Sequence, residues 1–346
     1  MDIKKLLDTL RMETDDIFWY LIEQLEGLGM NVDYAFDDWI YVNNNSPIML
    51  VAHIDTIERN EKLKFRVKKN RIKARNSVLG ADDRAGIYAI MDILEMCKKS
   101  NTPMPSILFT NYEECGLLGA EAFVKAKKLE NKDINIFIEL DRKGEDEYVY
   151  YFHGMPKPVA EWVESFGFVQ DWGSMSDVMT LTEEYDIPHV NLSVGYYNQH
   201  TVNEVLYPSQ LQKTIDRVFE MILNPLETYY EVDGKASSLY DNYNSYGYGY
   251  QNCNRGYQDD YGYSRTDYSK RQSSYKDMQV VPKTFNYDIM TDVLTEFEYE
   301  NEPLNGKWWD EMEEANVEAQ IADSIAREKG MHEMTDDEFY NYHYIY

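Results

Sequence analysis

The sequence has 346 residues, which is enough for one or two domains of ordinary size. Asp and Glu outnumber Lys and Arg by 62 to 34, and the resulting formal charge of −28 disfavours nucleic acid and anionic membrane surfaces as partners. Three cysteines are too few for a disulfide framework, and no apolar stretch resembles a signal peptide or a membrane span. We therefore expect a cytoplasmic protein.

Helix and strand patterns alternate along the first 225 residues. An apolar stripe from Phe18 to Leu28 predicts an amphipathic helix that ends at Gly29. Further helices are predicted over 87–97, 118–128, 158–166, 176–185 and 211–222. Strands are predicted over 39–42, 48–54, 64–67, 71–74, 107–110, 136–140, 148–152 and 189–194. Because continuous apolar strands alternate with helices, we expect an α/β fold, a three-layer sandwich around a mixed, largely parallel sheet.

The composition changes after the last of these helices. Residues 229–283 are rich in Tyr, Gly and Asn and nearly lack aliphatic side chains, so we expect a disordered linker after a domain of residues 1–228. Residues 284–346 form an acidic tail, in which Val317, Ile321 and Ile325 predict an amphipathic helix over 308–328. The tail could bind a protein partner, associate with itself, or be a passive extension.

Five candidate metal ligands follow predicted strands or open a predicted helix. His53 and Asp55 follow the strand 48–54, and Asp141 and His200 follow the strands 136–140 and 189–194. Asp82 lies in LGADDRAG, where an acidic residue could instead cap the next helix. Glu113 and Glu114 are adjacent, so a metal on one would relieve their repulsion and leave the other for proton transfer. The combination predicts a two-metal site of carboxylates and imidazoles, with Asp55 orienting His53.

The five segments HID, GADDRAG, NYEECGLLG, ELDRKG and NQHTVNE resemble, in this order, the motifs of the co-catalytic di-zinc metallopeptidases. That clan includes leucyl aminopeptidase-like enzymes, glutamate carboxypeptidases, peptidase T and aminoacylases. The resemblance implies two zinc ions bridged by Asp82. It implies His53 and Asp141 on one ion, Glu114 and His200 on the other, and Glu113 as the general base.

The resemblance points to the single-domain, aminopeptidase-like branch of that clan. Only about sixty residues separate Asp141 from His200, which leaves no room for the dimerisation domain found there in peptidase T and the aminoacylases. We expect a metal-dependent hydrolase that acts on a peptide or a small amide. An amidohydrolase or carboxypeptidase acting on acylated amino acids is the alternative, as is a vestigial hydrolase domain that serves as a scaffold through its tail.

Other polar residues have simpler interpretations. We expect His153 and His189 to be ordinary strand or core residues. Ser176 and Asp177 either cap a helix or contribute to the pocket, and Tyr196 and Tyr197 pack or line it.

Overall fold

The computed structural model describes residues 1–57, 59, 63–129, 133–173 and 175–232. The helices are α1 Ile3–Arg11, α2 Thr14–Gly27, α3 Ala81–Ser100, α4 Leu118–Ala126, α5 Lys157–Ser165, α6 Asp177–Tyr185 and α7 Pro208–Leu223. The strands are β1 Asp33–Ala35, β2 Trp39–Val42, β3 Ile48–His53, β4 Phe65–Lys68, β5 Arg71–Ala74, β6 Ser106–Thr110, β7 Ile136–Arg142, β8 Glu147–Val149, β9 Val169–Asp171, β10 His189–Ser193, β11 Tyr196–Tyr197 and β12 Val205–Leu206.

The main sheet has eight strands in the order β1-β2-β6-β3-β7-β10-β8-β9. Its four central strands, β6, β3, β7 and β10, run parallel to one another, while β1, β2 and β8 pair antiparallel with their inner neighbours. Every residue of β3 and β6 is buried, as expected of strands that are covered on both faces. The predicted mixed, largely parallel sheet is confirmed.

Helices cover both faces of this sheet and produce the predicted three-layer sandwich. Helices α3 and α7 pack on β3, β7 and β10 from one side, and α1 packs on α3. Helices α4 and α6 contact each other and cover β2, β6, β7 and β10 from the other side. Among the described residues no helix is both long enough and apolar enough to cross a membrane.

A second, four-stranded sheet in the order β11-β12-β5-β4 lies outside the predicted architecture. The hairpin β4–β5 was expected as two strands, but β11 and β12 have only two residues each and carry no recognisable pattern. Leu206 of β12 pairs with Ile72 of β5, so the small sheet joins the hairpin to the segment around His200. This connection positions part of the site described below.

Two other features of the structure differ from the predictions. The helix α1 was not predicted, although Leu6, Leu7 and Leu10 are buried in the core. The strand expected over 148–152 ends at Val149. It leaves the ladder because the backbone N–H of Tyr151 donates to the side-chain Nε2 of His189 at 3.0 Å instead of to a backbone carbonyl.

The segment between Asp141 and His200 contains β8, α5, β9, α6, β10 and β11. These short elements extend the main sheet and its helical layers, so this stretch forms no separate domain within the described residues. Linker residues 233–283, the acidic tail 284–346 and the helix expected over 308–328 lie outside the described part of the chain.

The end of the described domain supports a stability prediction. Val232 is buried against Tyr150 and Phe152, beyond the expected domain end at residue 228. We expect a chain truncated after residue 232 to keep the thermal stability of the full chain. Truncation after residue 228 should lower the free energy of unfolding by about 1.5–3 kcal/mol, the usual value for a buried Val side chain. Urea denaturation of the two truncated chains tests this, and equal midpoints would contradict it.

Candidate metal centre

Two candidate ligands lie at the carboxyl ends of the parallel strands β3 and β7. His53 is the last residue of β3 and is fully buried, and Asp141 is the last residue but one of β7. His53 Nε2 is 3.0 Å from Asp82 Oδ1 and 3.5 Å from Asp141 Oδ1. These three side chains each offer one ligand atom within 4.8 Å of the other two, which suits one metal ion.

A second group of three side chains shares Asp82 with the first. His200 Nε2 is 3.1 Å from Asp82 Oδ2 and 2.7 Å from Glu114 Oε1. The two oxygens of Asp82 therefore face two different imidazoles, Oδ1 towards His53 and Oδ2 towards His200. Asp82, Glu114 and His200 form the second group that could hold an ion.

Asp55 contacts both a candidate ligand and the loop that carries the acidic pair. Its Oδ1 is 3.3 Å from His53 Nδ1, so the ring nitrogen that faces away from the other carboxylates has an acidic partner. The carboxylate also accepts the backbone N–H groups of Glu113 at 3.0 Å and Glu114 at 3.1 Å. One side chain thus lies beside the His53 ring and holds the Glu113–Glu114 turn through two hydrogen bonds.

The loop that carries Asp82 is held down by Asp83. Asp83 is fully buried, and its carboxylate accepts the N–H of Gly86 at 2.9 Å and the N–H of His53 at 3.2 Å. The first of these is the expected helix cap, since the backbone of Asp82 and Asp83 is not helical and regular α3 begins after them. The peptide bond between Asp82 and Asp83 is cis.

Gly86 allows this helix start to approach the sheet. A Cβ at this position would lie 1.9 Å from the carbonyl oxygen of Leu140, so no other residue fits without moving the backbone. The close approach places the first turn of α3 against β7, beside Asp141.

Glu204 holds the same loop from the opposite side, and sequence reasoning missed it. Its buried carboxylate accepts four consecutive backbone N–H groups, from Leu79, Gly80 and Ala81 at 2.8 Å and from Asp82 at 3.2 Å. Burial raises the pKa of Glu204 to about 7, although hydrogen bonds from these N–H groups favour the charged form. The only signal in the sequence was its place in NQHTVNE, four residues after His200.

The acidic pair lies at the boundary between the two groups. Glu113 and Glu114 are partly buried, and either can offer an oxygen within 4.8 Å of a His53 nitrogen. Burial, Asp141 and Glu114 raise the pKa of Glu113 well above its usual range. A carboxylate whose pKa is raised towards neutrality suits a group that takes up and releases a proton.

Two further side chains orient Asp141. The Tyr196 hydroxyl donates to Asp141 Oδ1 at 3.1 Å, so this residue does more than pack, whereas Tyr197 contacts the ring of Tyr207 edge-on. The side chain of Asn191 makes two hydrogen bonds with the backbone of Asp141. It accepts the N–H at 3.0 Å and donates to the carbonyl at 3.1 Å.

A buried polar layer lies beneath the candidate ligands, between the sheet and the start of α6. Ser176 donates to Glu139 and Thr110 donates to Asp177, and all four residues are buried. Ser176 and Asp177 therefore contact the sheet, and Ser176 makes no side-chain helix cap. Within the described residues, Glu139 Oε1 and Asp177 Oδ1 have no hydrogen-bond partner.

The two other histidines in the described residues, His153 and His189, are not part of the centre. His189 is a buried core residue as expected, and burial lowers its pKa to about 3. Its ring stacks on Tyr150 and contacts the Thr182 hydroxyl at 2.8 Å. His153 was expected in a strand or the core, but it is exposed because the chain has already left β8.

The donor set fits a pair of zinc ions. Imidazole nitrogens and carboxylate oxygens are ordinary zinc ligands, and one shared carboxylate is what two adjacent ions require. Burial and the neighbouring charge of Asp82 raise the pKa of Asp141 to about 7, which means that its charged form is disfavoured. Bound cations would stabilise that charged form. Burial would likewise raise the pKa of Asp82, but hydrogen bonds from His200 and His53 hold it below its usual range.

This fold, with these two ligand groups at its sheet edge, matches that of the co-catalytic zinc peptidases. Residues 40–180 match the sequence model of Peptidase family M28. The chain is accordingly a zinc-dependent metallopeptidase with two zinc ions as cofactors. No curated protein matched in a sequence search.

Solved structures with the same fold are more distant in sequence. Aminopeptidase PepT from Bacillus cereus ATCC 10987 is 17% identical, with a TM-score of 0.54 over 64% of this chain and 96% of that chain. A tripeptidase from Staphylococcus aureus Mu50 is 17% identical, with a TM-score of 0.52 over 63% and 95%. A TET aminopeptidase from a marine sediment Thaumarchaeota archaeon is 14% identical, with a TM-score of 0.50 over 64% and 97%.

The contacts of Glu204 lead to a prediction about metal affinity. In Glu204→Gln the amide NH₂ would face backbone N–H donors, so the loop that carries Asp82 should lose its fixed position. We expect zinc affinity to fall by about 10–100-fold, the usual effect of losing a group that orients a ligand. Competition with a chromogenic chelator measures this.

Glu147→Gln is the matched control, because Glu147 also accepts two backbone N–H groups, those of Glu145 and Asp146, and contacts no candidate ligand. Equal zinc affinity in the two variants would contradict an orienting role for Glu204.

Proposed function

We propose that this protein is an aminopeptidase that removes the N-terminal residue from peptides. In this proposal His53, Asp82 and Asp141 bind one zinc ion, and Asp82, Glu114 and His200 bind the other. Glu113 is the general base, and Asp55 keeps the imidazole of His53 in its binding orientation.

The observation that carries the proposal is the geometry of Asp82. Its two oxygens lie 3.0 and 3.1 Å from the Nε2 atoms of two different histidines. A carboxylate that only capped a helix would direct its oxygens towards backbone N–H groups, which is what the neighbouring Asp83 does. This geometry supports a bridging role for Asp82 and a loop-supporting role for Asp83.

Two zinc ions held in this way would supply Lewis-acid chemistry, which polarises the scissile carbonyl and lowers the pKa of the attacking water. Glu113 would take the proton from that water and transfer it to the leaving amine. The carboxyl group of Glu113 can hold the proton between the two transfers. The backbone N–H of Glu113 donates a hydrogen bond to Asp55, which keeps the base at a fixed distance from His53.

The charge around the centre favours the amino end of a peptide over the carboxyl end. Beyond the candidate ligands, the buried acids Glu139 and Asp177 retain unpartnered oxygens within the described structure. The buried guanidinium of Arg84 donates to backbone carbonyls, and that of Arg142 donates to Asp171 at 2.5 Å. A free α-ammonium group is therefore better accommodated than a free C-terminal carboxylate.

The similar structures support the same choice, since two of them are described as aminopeptidases and the third as a tripeptidase. The single-domain organisation between Asp141 and His200 also agrees with the aminopeptidase-like branch.

The test is a set of three peptides of one sequence: unmodified, N-acetylated and C-amidated. Full-length zinc-loaded protein should release the first residue from the unmodified and C-amidated peptides and leave the acetylated peptide intact. Chelation should abolish turnover and added zinc should restore it. Cleavage only from the carboxyl end would establish a carboxypeptidase, and deacylation of the acetylated peptide an amidohydrolase. Absence of all three activities would favour a scaffold.

A further inference from the structure

The hairpin β4–β5 is strongly basic, although the chain as a whole is strongly acidic. Eight of the 34 Lys and Arg residues fall within residues 62–76, and no acidic residue occurs between Glu61 and Asp82. The net charge of the chain is −28. Such a local reversal of sign creates a positive potential that attracts anionic groups.

The register of the hairpin puts the basic side chains on one face. Arg66 lies opposite Lys73, and Lys68 lies opposite Arg71. The N–H of Arg75 donates to the carbonyl of Lys64 at 2.8 Å, which continues the same ladder. We call these six side chains the basic face. They are Lys64, Arg66, Lys68, Arg71, Lys73 and Arg75.

The opposite face of the hairpin anchors it to the domain. Ile72 and Ala74 are buried, whereas Lys64, Arg66 and Lys68 are exposed, so the basic face is turned to solvent. Like charges directly across an antiparallel ladder disfavour the pairing. Burial and the charges of Arg71 and Arg66 also lower the pKa of Lys73.

The basic face is connected to the metal centre through ring contacts. The guanidinium of Arg71 lies 5.7 Å from the ring centroid of Tyr207, and that ring lies 5.4 Å from the ring of Tyr197. Tyr197 ends β11, three residues before His200. The small sheet makes the same connection through its backbone, because β5 pairs with β12 and β12 pairs with β11.

The length of chain between the hairpin and the centre sets an upper limit on their separation. Asp82 follows Arg75 by seven residues, so the two Cα atoms can be at most about 25 Å apart. An extended peptide advances about 3.3 Å per residue, and the same distance corresponds to about seven residues of substrate.

We infer that the basic face binds acidic side chains of the peptide substrate, downstream of the residue that is removed and beginning within about the first seven positions. This inference rests on the proposed aminopeptidase function. It names the substrate class as peptides with acidic residues behind a free N-terminus. Binding would be electrostatic, as in the recognition of acidic motifs by clustered basic side chains.

The experiment compares three peptides that share the N-terminal sequence Leu-Ala-Ala and continue with four Glu, four Gln or four Lys residues. Full-length zinc-loaded protein at low ionic strength should show kcat/KM about tenfold higher for the Glu peptide than for the Gln peptide. The preference should shrink as salt is raised, because salt screens exposed charges. The double variant Arg66→Glu/Lys68→Glu should lose the preference or reverse it.

The matched control is Lys98→Glu/Lys99→Glu, which makes the same change in charge at the far end of α3. The ratio of kcat/KM for the Glu peptide to kcat/KM for the Gln peptide should be the same in this variant as in the unmodified chain. Thermal melting of both variants verifies that they are folded. If the Arg66→Glu/Lys68→Glu variant is unfolded, the milder Arg66→Gln/Lys68→Gln variant takes its place.

The outcomes separate the two proposals. Failure to cleave any of the three peptides would contradict the aminopeptidase function itself. Cleavage of all three with equal kcat/KM, or a preference that survives in the Arg66/Lys68 variant, would overturn the role of the basic face. Tighter binding of a single-stranded oligonucleotide than of the Glu peptide to full-length protein would also overturn it.

Discussion

Glu113→Gln is expected to retain two zinc ions and the fold, and to lose at least about two orders of magnitude in kcat. The amide has nearly the shape of the carboxylate but cannot take a proton from water. Metal should remain because both proposed ligand groups can bind without Glu113. Elemental analysis, thermal melting and turnover of a neutral peptide together measure the effect.

The neighbouring residue provides the control for this prediction. Glu114→Gln should reduce the zinc content, because Glu114 Oε1 lies with His200 and Asp82 in the second ligand group. Excess zinc should restore part of its activity and none of the activity lost in Glu113→Gln. If the two phenotypes are exchanged, the roles of the pair are assigned the wrong way round.

Asp82→Ala is expected to release both zinc ions together and to abolish peptide hydrolysis. Its carboxylate is the only side chain common to the two proposed groups, so its removal leaves each ion with two protein ligands. Structural and catalytic zinc sites normally use at least three. The zinc content of protein purified without chelator should fall from about two ions per chain to nearly none. Inductively coupled plasma mass spectrometry measures it.

His200→Ala and Asp82→Asn sharpen this result. His200→Ala should lose mainly one ion, since the group of His53, Asp82 and Asp141 stays complete. Asp82→Asn keeps the size of the side chain but removes its charge, so it separates loss of bridging from loss of packing. Two ions retained in Asp82→Ala would refute the bridging role.

The central fold was predictable because its strands are buried on both faces. A strand such as β3 reads as a continuous apolar run, and its position between breaks in the pattern distinguishes it from a helix. The strands β11 and β12 could not be found in this way, because pairs such as Tyr196 with Leu206 exist only through tertiary contacts. Likewise, α1 has nine residues and is stabilised chiefly by packing on α3.

The candidate ligands were predictable for a related reason, namely that side chains at the carboxyl ends of parallel strands converge at one edge. His53 and Asp141 follow directly from this rule. Glu204 does not, because it acts through the backbone N–H groups of residues 79–82, which carry no sequence signal. The basic face was also missed, since only the register of β4 and β5 aligns its side chains.

Two buried guanidiniums connect the first helix of the chain to the ligand loops. Arg59 donates to the carbonyl of Leu10 at 2.5 Å and to that of Leu79 at 3.3 Å. Arg84 donates to the carbonyl of Met12 at 3.3 Å and also to the carbonyl of Ile54, next to His53. Within the described part of the chain, these contacts join the end of α1 to both sides of the metal centre.

This arrangement has a consequence for synthesis on the ribosome. The segment that ends in Met12 is synthesised before its partner Arg84, which lies 72 residues later in the chain. Synthesis proceeds at about 5–20 residues per second, so several seconds pass before Arg84 can bind the carbonyl groups at the end of α1. During that interval the apolar side chains of Leu6, Leu7 and Leu10 have no partner from α3, so we expect a nascent-chain chaperone to bind α1.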